Sequence, residues 1–354
     1  MPRIELSPEG LSREAGEIGR RAARGLATVR GLGRPRPGAT PREAVWRSDD
    51  VTLYHYEAPS SAAARVPLLI VYALVNRPDM VDLQPDRSLV RALIAHGFDV
   101  YLLDWGEPDA TDRVLGLDDY VSRYLDAAVD WMRAALSRPA VHLMGICQGG
   151  TLSLCYAALH PLKVERLVTT VTPVDFHTSE DMLSHLVRHV DVDALIDAYG
   201  NLQGDVLNAL FLSLKPFQLM QQKYLRFIDG LDDAAATAMF LRMEQWIFDS
   251  PAIAARACRE FARDFYQGNA LARGGLRIGL REVRLDRLTM PLLNVYARDD
   301  HLVPPAASRA LGALVTAAPY AEHELPGGHI GIYVARTRGH ALASVIGDWT
   351  GAQA

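Results

Sequence analysis

A cysteine framed by glycines is the feature of this sequence that is best suited to chemistry. Cys147 lies in the run Gly145-Ile146-Cys147-Gln148-Gly149, a G-x-C-x-G arrangement. In that arrangement the central residue is a nucleophile on a tight turn from a strand to a helix, and the glycines let neighbouring backbone come close. The apolar run 141–144 before the turn and residues 151–159 after it predict that strand and that helix. We therefore interpret Cys147 as a nucleophile rather than as a buried structural cysteine.

The thiol needs a base, because only a small fraction of a free cysteine is thiolate at neutral pH. His329 lies in a glycine-rich loop late in the chain, Pro326-Gly327-Gly328-His329, and is our candidate for the general base. A carboxylate must then orient the imidazole and select its tautomer. Asp299 and Asp300 follow one predicted strand and Asp175 follows another, so spacing leaves three candidates, with Asp300 preferred.

Two further groups of residues are expected around the thiol. The oxyanion that forms during acyl transfer needs backbone donors, usually the amide after the nucleophile and one from the loop after an early strand. These are the amides of Gln148 and Val75, with Asn76 beside them as a candidate for lining the site. His301 adjoins Asp300 and either lines the site or packs the loop.

The elements that must position these residues alternate between strands and helices. Short apolar runs predict strands at residues 51–56, 67–72, 98–104, 140–144, 166–171 and 292–296. A period of 3.6 residues predicts helices at 88–96, 120–136, 151–159, 205–214, 217–227, 234–248, 252–265 and 333–349. This alternation, with the order nucleophile, acid and histidine, predicts an α/β-hydrolase fold: a mostly parallel sheet with helices on both faces and an inserted helical cap.

Four segments follow from these patterns. Residues 1–40 are predicted to form an N-terminal helix and a linker, which either docks a partner or packs on the main domain. Residues 41–176 and 288–354 are the two parts of the hydrolase core, and residues 177–287 are the cap.

Composition sets broad limits on function. The chain has 354 residues, 49% of them hydrophobic, with a net charge of −5, which supplies no general reason to bind nucleic acid. Three cysteines form no pairing framework and no metal-binding pattern, so no metal is expected and a reducing compartment is favoured. The sequence shows no signal region and no apolar run of about 18 residues, so we expect a cytoplasmic protein without a membrane span.

The motifs together resemble a known family. The runs 145–150, 300–305 and 327–329 resemble polyhydroxyalkanoate synthases of the short, two-component type called class III. Further similar runs extend the resemblance from about residue 45 to the end of the chain, at 74–78, 104–106, 173–176, 214–217 and 246–251. The family pattern selects Asp300 as the acid over Asp299 and Asp175.

The resemblance implies an acyltransferase that polymerises (R)-3-hydroxyacyl-coenzyme A, with 3-hydroxybutyryl-coenzyme A as the expected substrate. Coenzyme A would be released and the polyester chain held on Cys147, with no cofactor beyond the coenzyme A of the substrate. His329 would deprotonate the thiol and then the 3-hydroxyl, and Asp300 would either act directly or orient the imidazole. The implied partners are the growing polyester, its granule surface in the cytoplasm, a second noncatalytic subunit and, as a candidate, a second copy of the chain.

Other readings of the same residues stay open. A cysteine hydrolase or thioesterase would share the triad and release its acyl group to water. An inactive granule-binding scaffold would keep only the fold. Four apolar cap residues either line an acyl pocket or form the core of the cap: Phe217, Met220, Tyr224 and Trp246.

Overall fold

A computed structural model of the protein describes residues 38–58, 66–215, 223–230 and 233–351, together with Gly16 and Arg20. The predicted N-terminal helix and its linker lie outside the described residues, apart from these two positions and residues 38–40. Phe217 and Met220 also lie outside them.

An eight-stranded sheet organises the chain, with strands in the order β1-β2-β6-β3-β7-β8-β11-β12. The last six strands in that order are parallel, whereas β1 and β2 pair antiparallel with their neighbours. Two short antiparallel pairs, β4 with β5 and β9 with β10, lie outside this sheet. The strands are β1 Arg42–Ser48, β2 Val51–Tyr56, β3 Val66–Val71, β4 Asp82–Gln84, β5 Arg87–Ser88, β6 Phe98–Asp104, β7 Val141–Ile146, β8 Val164–Thr170, β9 Arg277–Ile278, β10 Arg281–Glu282, β11 Leu292–Ala297 and β12 Tyr320–Leu325.

The predicted mostly parallel sheet is therefore confirmed, and so are its six predicted strands. The central strands β7 and β11 are buried along their whole length, as expected of parallel strands covered on both faces. The two edge strands were not predicted. β1 and β12 carry charged and exposed side chains because only one of their edges is paired, so they lack the continuous apolar run of a central strand.

Helices cover the sheet on both faces. The helices Asp126–Ala135 and Gln148–Leu159 pack on one side with residues such as Leu69 and Leu143, whereas Leu89–Ala95 and Arg338–Thr350 pack on the other side with Leu68 and Ile70. The helices are α1 Leu89–Ala95, α2 Asp126–Ala135, α3 Gln148–Leu159, α4 Met182–Val187, α5 Val192–Tyr199, α6 Gly204–Leu214, α7 Lys223–Asp229, α8 Ala234–Phe248, α9 Ala255–Phe261, α10 Ala270–Arg273, α11 Pro305–Arg309, α12 Leu311–Leu314, α13 Gly331–Val334 and α14 Arg338–Thr350.

Shorter helical turns join or extend these helices. Two wider π-type turns continue directly into α2 and directly from α9, at Asp119–Leu125 and Ala262–Gln267. Within the described ranges, 3-10 turns are found at Pro78–Val81, Thr111–Val114, Pro161–Lys163 and Leu285–Arg287.

The structure also differs from the predicted elements at the C-terminal helix and within the cap. The predicted C-terminal helix is two helices, α13 and α14, because Ala335 adopts an extended backbone that ends the first of them. The β9–β10 pair lies in the range 177–287, where no strand was predicted, since two-residue strands are too short to show a period. None of the helices in the described ranges combines the length and the apolar character needed to cross a membrane.

Candidate active site

Cys147 lies on the turn between β7 and α3. Its backbone has φ +54° and ψ −124°, a conformation that an L-residue rarely adopts and that surrounding structure must hold. The Cys147 amide donates to the Thr170 carbonyl at 2.9 Å, and the Cys147 carbonyl accepts from the Gly150 amide at 2.9 Å. The thiol is half-buried at the N-terminus of a twelve-residue helix. The helix dipole at that end favours negative charge on the sulfur.

The glycines of the motif are needed for close packing. A Cβ on Gly145 would meet the backbone of Gly150, and a Cβ on Gly149 would meet the carbonyls of Val71 and Tyr72. Side chains at these positions would push α3 away from β3 and β7. Glycines at positions 145 and 149 therefore allow the turn to form.

His329 and Asp300 form a buried pair beside the turn. The Nδ1 atom of His329 lies 2.7 Å from Oδ2 of Asp300. The other carboxylate oxygen of Asp300 accepts from the amides of Leu302 at 2.9 Å and Val303 at 3.0 Å. Since the carboxylate accepts, Nδ1 of His329 carries a proton and leaves Nε2 for the thiol.

The charges around His329 decide its protonation. Burial opposes a charged imidazole, but the carboxylate of Asp300, the charge of Cys147 and hydrogen bonds to both residues raise the pKa of His329 well above its ordinary value. The surroundings thus favour an imidazolium next to Cys147. An imidazolium in turn stabilises a thiolate.

The other two candidate acids make different contacts. The Asp299 carboxylate accepts from the Gly327 amide at 3.2 Å and so holds the loop that leads to His329. The Asp175 carboxylate accepts from the His177 amide at 2.8 Å and from Nδ2 of Asn269 at 2.8 Å. Neither carboxylate is hydrogen-bonded to His329.

The expected oxyanion donors lie on two adjoining segments. The side chain of Gln148 accepts a hydrogen bond from the Leu74 amide at 2.9 Å, which holds the loop after β3 against the start of α3. No described residue accepts a hydrogen bond from the amide of Gln148 or of Val75. Within the described residues, both amides are therefore available as hydrogen-bond donors.

The two residues expected to line the site have distinct surroundings. Asn76 has a left-handed backbone with φ +62°, and its Oδ1 atom is held by the Ser250 hydroxyl of the cap. His301 is half-buried, and burial followed by the charge of Lys215 lowers its pKa, against the opposing charge of Asp300. His301 therefore lies within electrostatic range of both Asp300 and Lys215, the residue after α6.

Comparison with known proteins identifies the family. The sequence model of the alpha/beta hydrolase fold matches residues 66–335. The poly(3-hydroxyalkanoate) polymerase subunit PhaC of Allochromatium vinosum is 49% identical over 348 residues, which cover 98% of each chain. The chain belongs to the poly(3-hydroxyalkanoate) polymerase subunit PhaC family. Subunits of the same name from Thiocystis violacea and a Synechocystis species are 47% identical over 347 residues and 48% identical over 334 residues. They cover 98% and 92% of this chain, and 98% and 88% of their own lengths.

Solved structures show the same fold at lower identity. A hydrolase from Pseudomonas aeruginosa is 16% identical with a TM-score of 0.52, and the match covers 90% of this chain and 100% of that one. A monoacylglycerol lipase from Paleococcus ferrophilus is 16% identical with a TM-score of 0.53, over 85% of this chain and 98% of that one. At this identity the likeness shows the α/β-hydrolase fold of this chain and nothing about its substrate.

The site also contains three tyrosines near the thiol that the sequence did not indicate. Burial, and after it the charge of Cys147, raises the pKa of the Tyr72 and Tyr266 hydroxyls well above the ordinary value. Burial and Cys147 act the same way on the pKa of Tyr333, whose hydroxyl donates to Oγ1 of Thr170 at 2.6 Å. Tyr333 follows His329 by one helical turn, which is the only local signal for it.

The two described candidates for an acyl pocket differ from each other. Trp246 is buried, and its indole N–H donates to the carbonyl of Arg77 at 2.7 Å. Tyr224 is 41% exposed, and its hydroxyl donates to Glu244. Tyr224 therefore lies on the surface of the cap.

Proposed function

We propose that the chain polymerises (R)-3-hydroxyacyl groups, in particular 3-hydroxybutyryl groups, from coenzyme A thioesters into a polyester. Cys147 holds the growing chain as a thioester, with His329 as the base and Asp300 as its partner. The observation that carries the proposal is a thiol on a strained turn beside a buried histidine–aspartate pair, in a chain 49% identical to a poly(3-hydroxyalkanoate) polymerase subunit.

The first step loads an acyl group onto Cys147. The sulfur attacks the thioester carbonyl, and the amides of Gln148 and Val75 donate to the oxyanion. When the tetrahedral intermediate collapses, the bond from carbon to the sulfur of coenzyme A breaks and the imidazolium of His329 protonates the departing thiolate. One thioester replaces another of similar energy, so loading is reversible and creates no deep trap.

The second step forms the ester bond. A 3-hydroxyl oxygen attacks a thioester carbonyl while Nε2 of His329 accepts the hydroxyl proton, and the sulfur leaves as thiolate. The same imidazole thus serves both steps, first as a proton donor to coenzyme A and then as an acceptor from the hydroxyl. The reaction needs no cofactor other than the coenzyme A that its substrate brings.

Asp300 orients the imidazole in this proposal and does not take the hydroxyl proton itself. Its side chain has 0% exposure, and its oxygens already accept three hydrogen bonds, from the amides of Leu302 and Val303 and from His329. A carboxylate so enclosed has no room for a substrate hydroxyl. It can still hold the tautomer of His329 and stabilise the imidazolium.

Exclusion of water separates a polymerase from a hydrolase on this fold. His329 and Asp300 are buried, and helices α4 to α10, the β9–β10 pair and their connections make up the described part of the cap. A site closed to water gives a hydroxyl the advantage over hydrolysis.

The proposed partners are inferred from the family and from apolar side chains exposed on the cap. The name of the Allochromatium vinosum relative contains the word subunit, which supports a second, noncatalytic subunit for this chain. Several apolar side chains of the cap are exposed and are candidate contacts for that subunit, for a second copy or for the surface of a cytoplasmic polyester granule: Met182, Leu186, Leu225, Ile228 and Phe248.

The test uses the full chain and (R)-3-hydroxybutyryl-coenzyme A. We expect release of coenzyme A, formation of polyester, and a 3-hydroxybutyryl adduct on the Cys147 peptide in mass spectrometry. Accumulation of free 3-hydroxybutyrate in place of polymer would establish the thioesterase alternative. If neither an adduct nor released coenzyme A were found, the result would support the alternative of an inactive granule-binding scaffold.

Matched cysteine variants make the assignment specific. Cys147→Ala is expected to reduce coenzyme A release by at least about 1000-fold, because nucleophile and base act as one unit. Cys258→Ala removes another half-buried thiol, whose pKa burial raises to about 12, and should release coenzyme A at the normal rate. Equal rates for Cys147→Ala and the unaltered chain would refute the covalent route.

A further inference from the structure

The loop that carries Val75 is held from two sides. On the core side, the Leu74 amide donates to the side chain of Gln148 at 2.9 Å. On the other side, residues of the cap contact Asn76 and Arg77, which directly follow Val75. The expected oxyanion donor therefore lies between one anchor on the core and a second on the cap.

The cap anchor consists of three contacts from the end of α8 and the turn that follows it. The indole N–H of Trp246 donates to the Arg77 carbonyl at 2.7 Å, within a buried environment. The Ser250 hydroxyl is bonded to Oδ1 of Asn76. The Arg77 guanidinium makes an ion pair with Asp249, Nε to Oδ1 3.1 Å.

The turn after α8 is itself tied to the rest of the cap. Nδ2 of Asn208 in α6 donates to the Ser250 hydroxyl at 3.1 Å. The backbones of Leu202 and Ile253 exchange two hydrogen bonds of 2.9 Å each. A Cβ on Gly204 would collide with Ser250, so α6 begins in direct contact with this turn.

We infer that Trp246 and Ser250 are positioning residues for the oxyanion hole, through which the cap sets the place of the Val75 amide. The inference rests on the proposed function for its reaction, and it adds a coupling between the cap and the chemistry. A shift of the cap moves Asn76 and Arg77, and with them Val75, while the amide of Gln148 stays with α3. The cap thus completes the oxyanion hole only while Trp246 and Ser250 keep their contacts with Arg77 and Asn76.

The test compares two reactions of Cys147 that need different parts of the site. Acylation by p-nitrophenyl acetate passes through a tetrahedral oxyanion, whereas alkylation by iodoacetamide forms none. Loss of one oxyanion donor costs about 100-fold to 1000-fold in rate, and loosening it through a neighbouring residue should cost about 10-fold. We expect Trp246→Phe and Ser250→Ala each to slow acylation about 10-fold and to leave alkylation within about 2-fold.

Matched controls remove the same groups elsewhere. Trp131→Phe changes a half-buried indole of α2, and Ser213→Ala changes an exposed cap serine whose hydroxyl donates to the Leu210 carbonyl of its own helix. Both should keep the normal ratio of acylation to alkylation. The Trp246→Phe/Ser250→Ala double variant should be little slower than the slower single variant, because both changes release the same loop.

Two outcomes would overturn the inference. Unchanged acylation in both Trp246→Phe and Ser250→Ala would show that the cap does not position the donor. Equal loss of acylation and alkylation would show a general structural role instead. Because p-nitrophenyl acetate cannot be polymerised, these results stand apart from the proposed function, which formation of polyester from (R)-3-hydroxybutyryl-coenzyme A decides separately.

Discussion

Two helices beside the site differ in how they are held. Every residue of α3 except Ala158 is buried, and the helix begins directly after the thiol. In α8, which is three residues longer, only Thr237 and Trp246 are buried. Packing on all sides therefore holds the helix behind the nucleophile, whereas a small number of specific contacts holds the cap helix.

The difference shows that the catalytic groups lie on the tightly packed core, whereas the cap beside the site is less tightly packed. The thiol, imidazole and carboxylate lie on core elements whose movement would open buried surface. The cap can shift at lower cost because fewer buried contacts hold it. We therefore expect small changes in the core to have large effects on coenzyme A release or on the free energy of unfolding. Most changes in the cap, outside the contacts with Asn76 and Arg77, should have small effects on both.

The largest effect is expected for Asp300→Asn. The asparagine amide would donate to Nδ1 of His329, leaving the proton on Nε2, where it cannot accept one from the thiol or the hydroxyl. We expect the rate of coenzyme A release to fall by about 10⁴-fold. Asp299→Asn is the control, since its side-chain oxygen can still accept from Gly327, and less than about a 10-fold loss is expected there. Similar losses in both variants would argue against Asp300 as the partner of His329.

A methyl group at Gly149 should strongly destabilise the core. It would collide with two backbone carbonyls of β3 and the residue after it, which cannot rotate away. We expect Gly149→Ala to lower the free energy of unfolding by about 1–3 kcal/mol in urea titration. Gly347→Ala in α14 places its methyl at an ordinary contact with His96, at 3.4 Å, and should be neutral or stabilising. An unchanged urea midpoint for Gly149→Ala would contradict the close packing of α3.

The pH dependence of thiol alkylation should distinguish the paired site from an isolated cysteine. In the unaltered chain, the pKa of His329 is raised well above its ordinary value, so an imidazolium stays beside the Cys147 sulfur to a higher pH than a free histidine would. Asp300→Asn removes one cause of that raised pKa, so the midpoint of the iodoacetamide rate against pH should move to higher pH. Cys147→Ala supplies the background from the other two cysteines. Superimposable profiles would exclude an effect of Asp300 on the pair.

A smaller effect is expected for Tyr333→Phe. The variant loses the buried hydrogen bond to Thr170, 2.6 Å long, which joins the element after His329 to the strand beside Cys147. We expect a loss of about 1 kcal/mol in the free energy of unfolding. Tyr199→Phe changes an exposed hydroxyl of the cap and should stay within about 0.5 kcal/mol. Equal losses of unfolding free energy in the two variants would contradict the expected difference between the core and the cap.

The smallest effect is expected on the cap surface. Asp193 makes ion pairs with Arg259, at 2.8 Å, and with Arg263, and the hydrogen bond from Arg263 is the main cause of its lowered pKa. All three side chains are exposed enough for water and salt to screen them. Asp193→Asn should leave coenzyme A release unchanged and hardly move the thermal midpoint at low or high salt. A clear loss of activity would show that the cap surface affects the site.

Parts of the fold were predictable because their signals are local. The strands at 51–56 and 98–104 and the helix at 234–248 have the predicted bounds, since an uninterrupted apolar run or period marks each of them. The edge strands β1 and β12 were missed because their stability comes from pairing with a neighbour and not from their own composition. The break between α13 and α14 was missed because both helices carry a compatible period.

The chemical groups of the site and their order along the chain can be read from the residues alone. Cys147, Asp300 and His329 each stand in a short motif whose local backbone, a turn or a glycine loop, can be read from neighbouring residues. Which partner each group meets depends on how distant parts of the chain fold together. Asp299 and Asp300 are adjacent in sequence, yet one holds Gly327 and the other holds His329, because successive side chains on a turn point in different directions. Trp246 reaches the carbonyl of Arg77 across 169 residues of chain, and no local pattern can encode a contact that exists only when the cap folds onto the core.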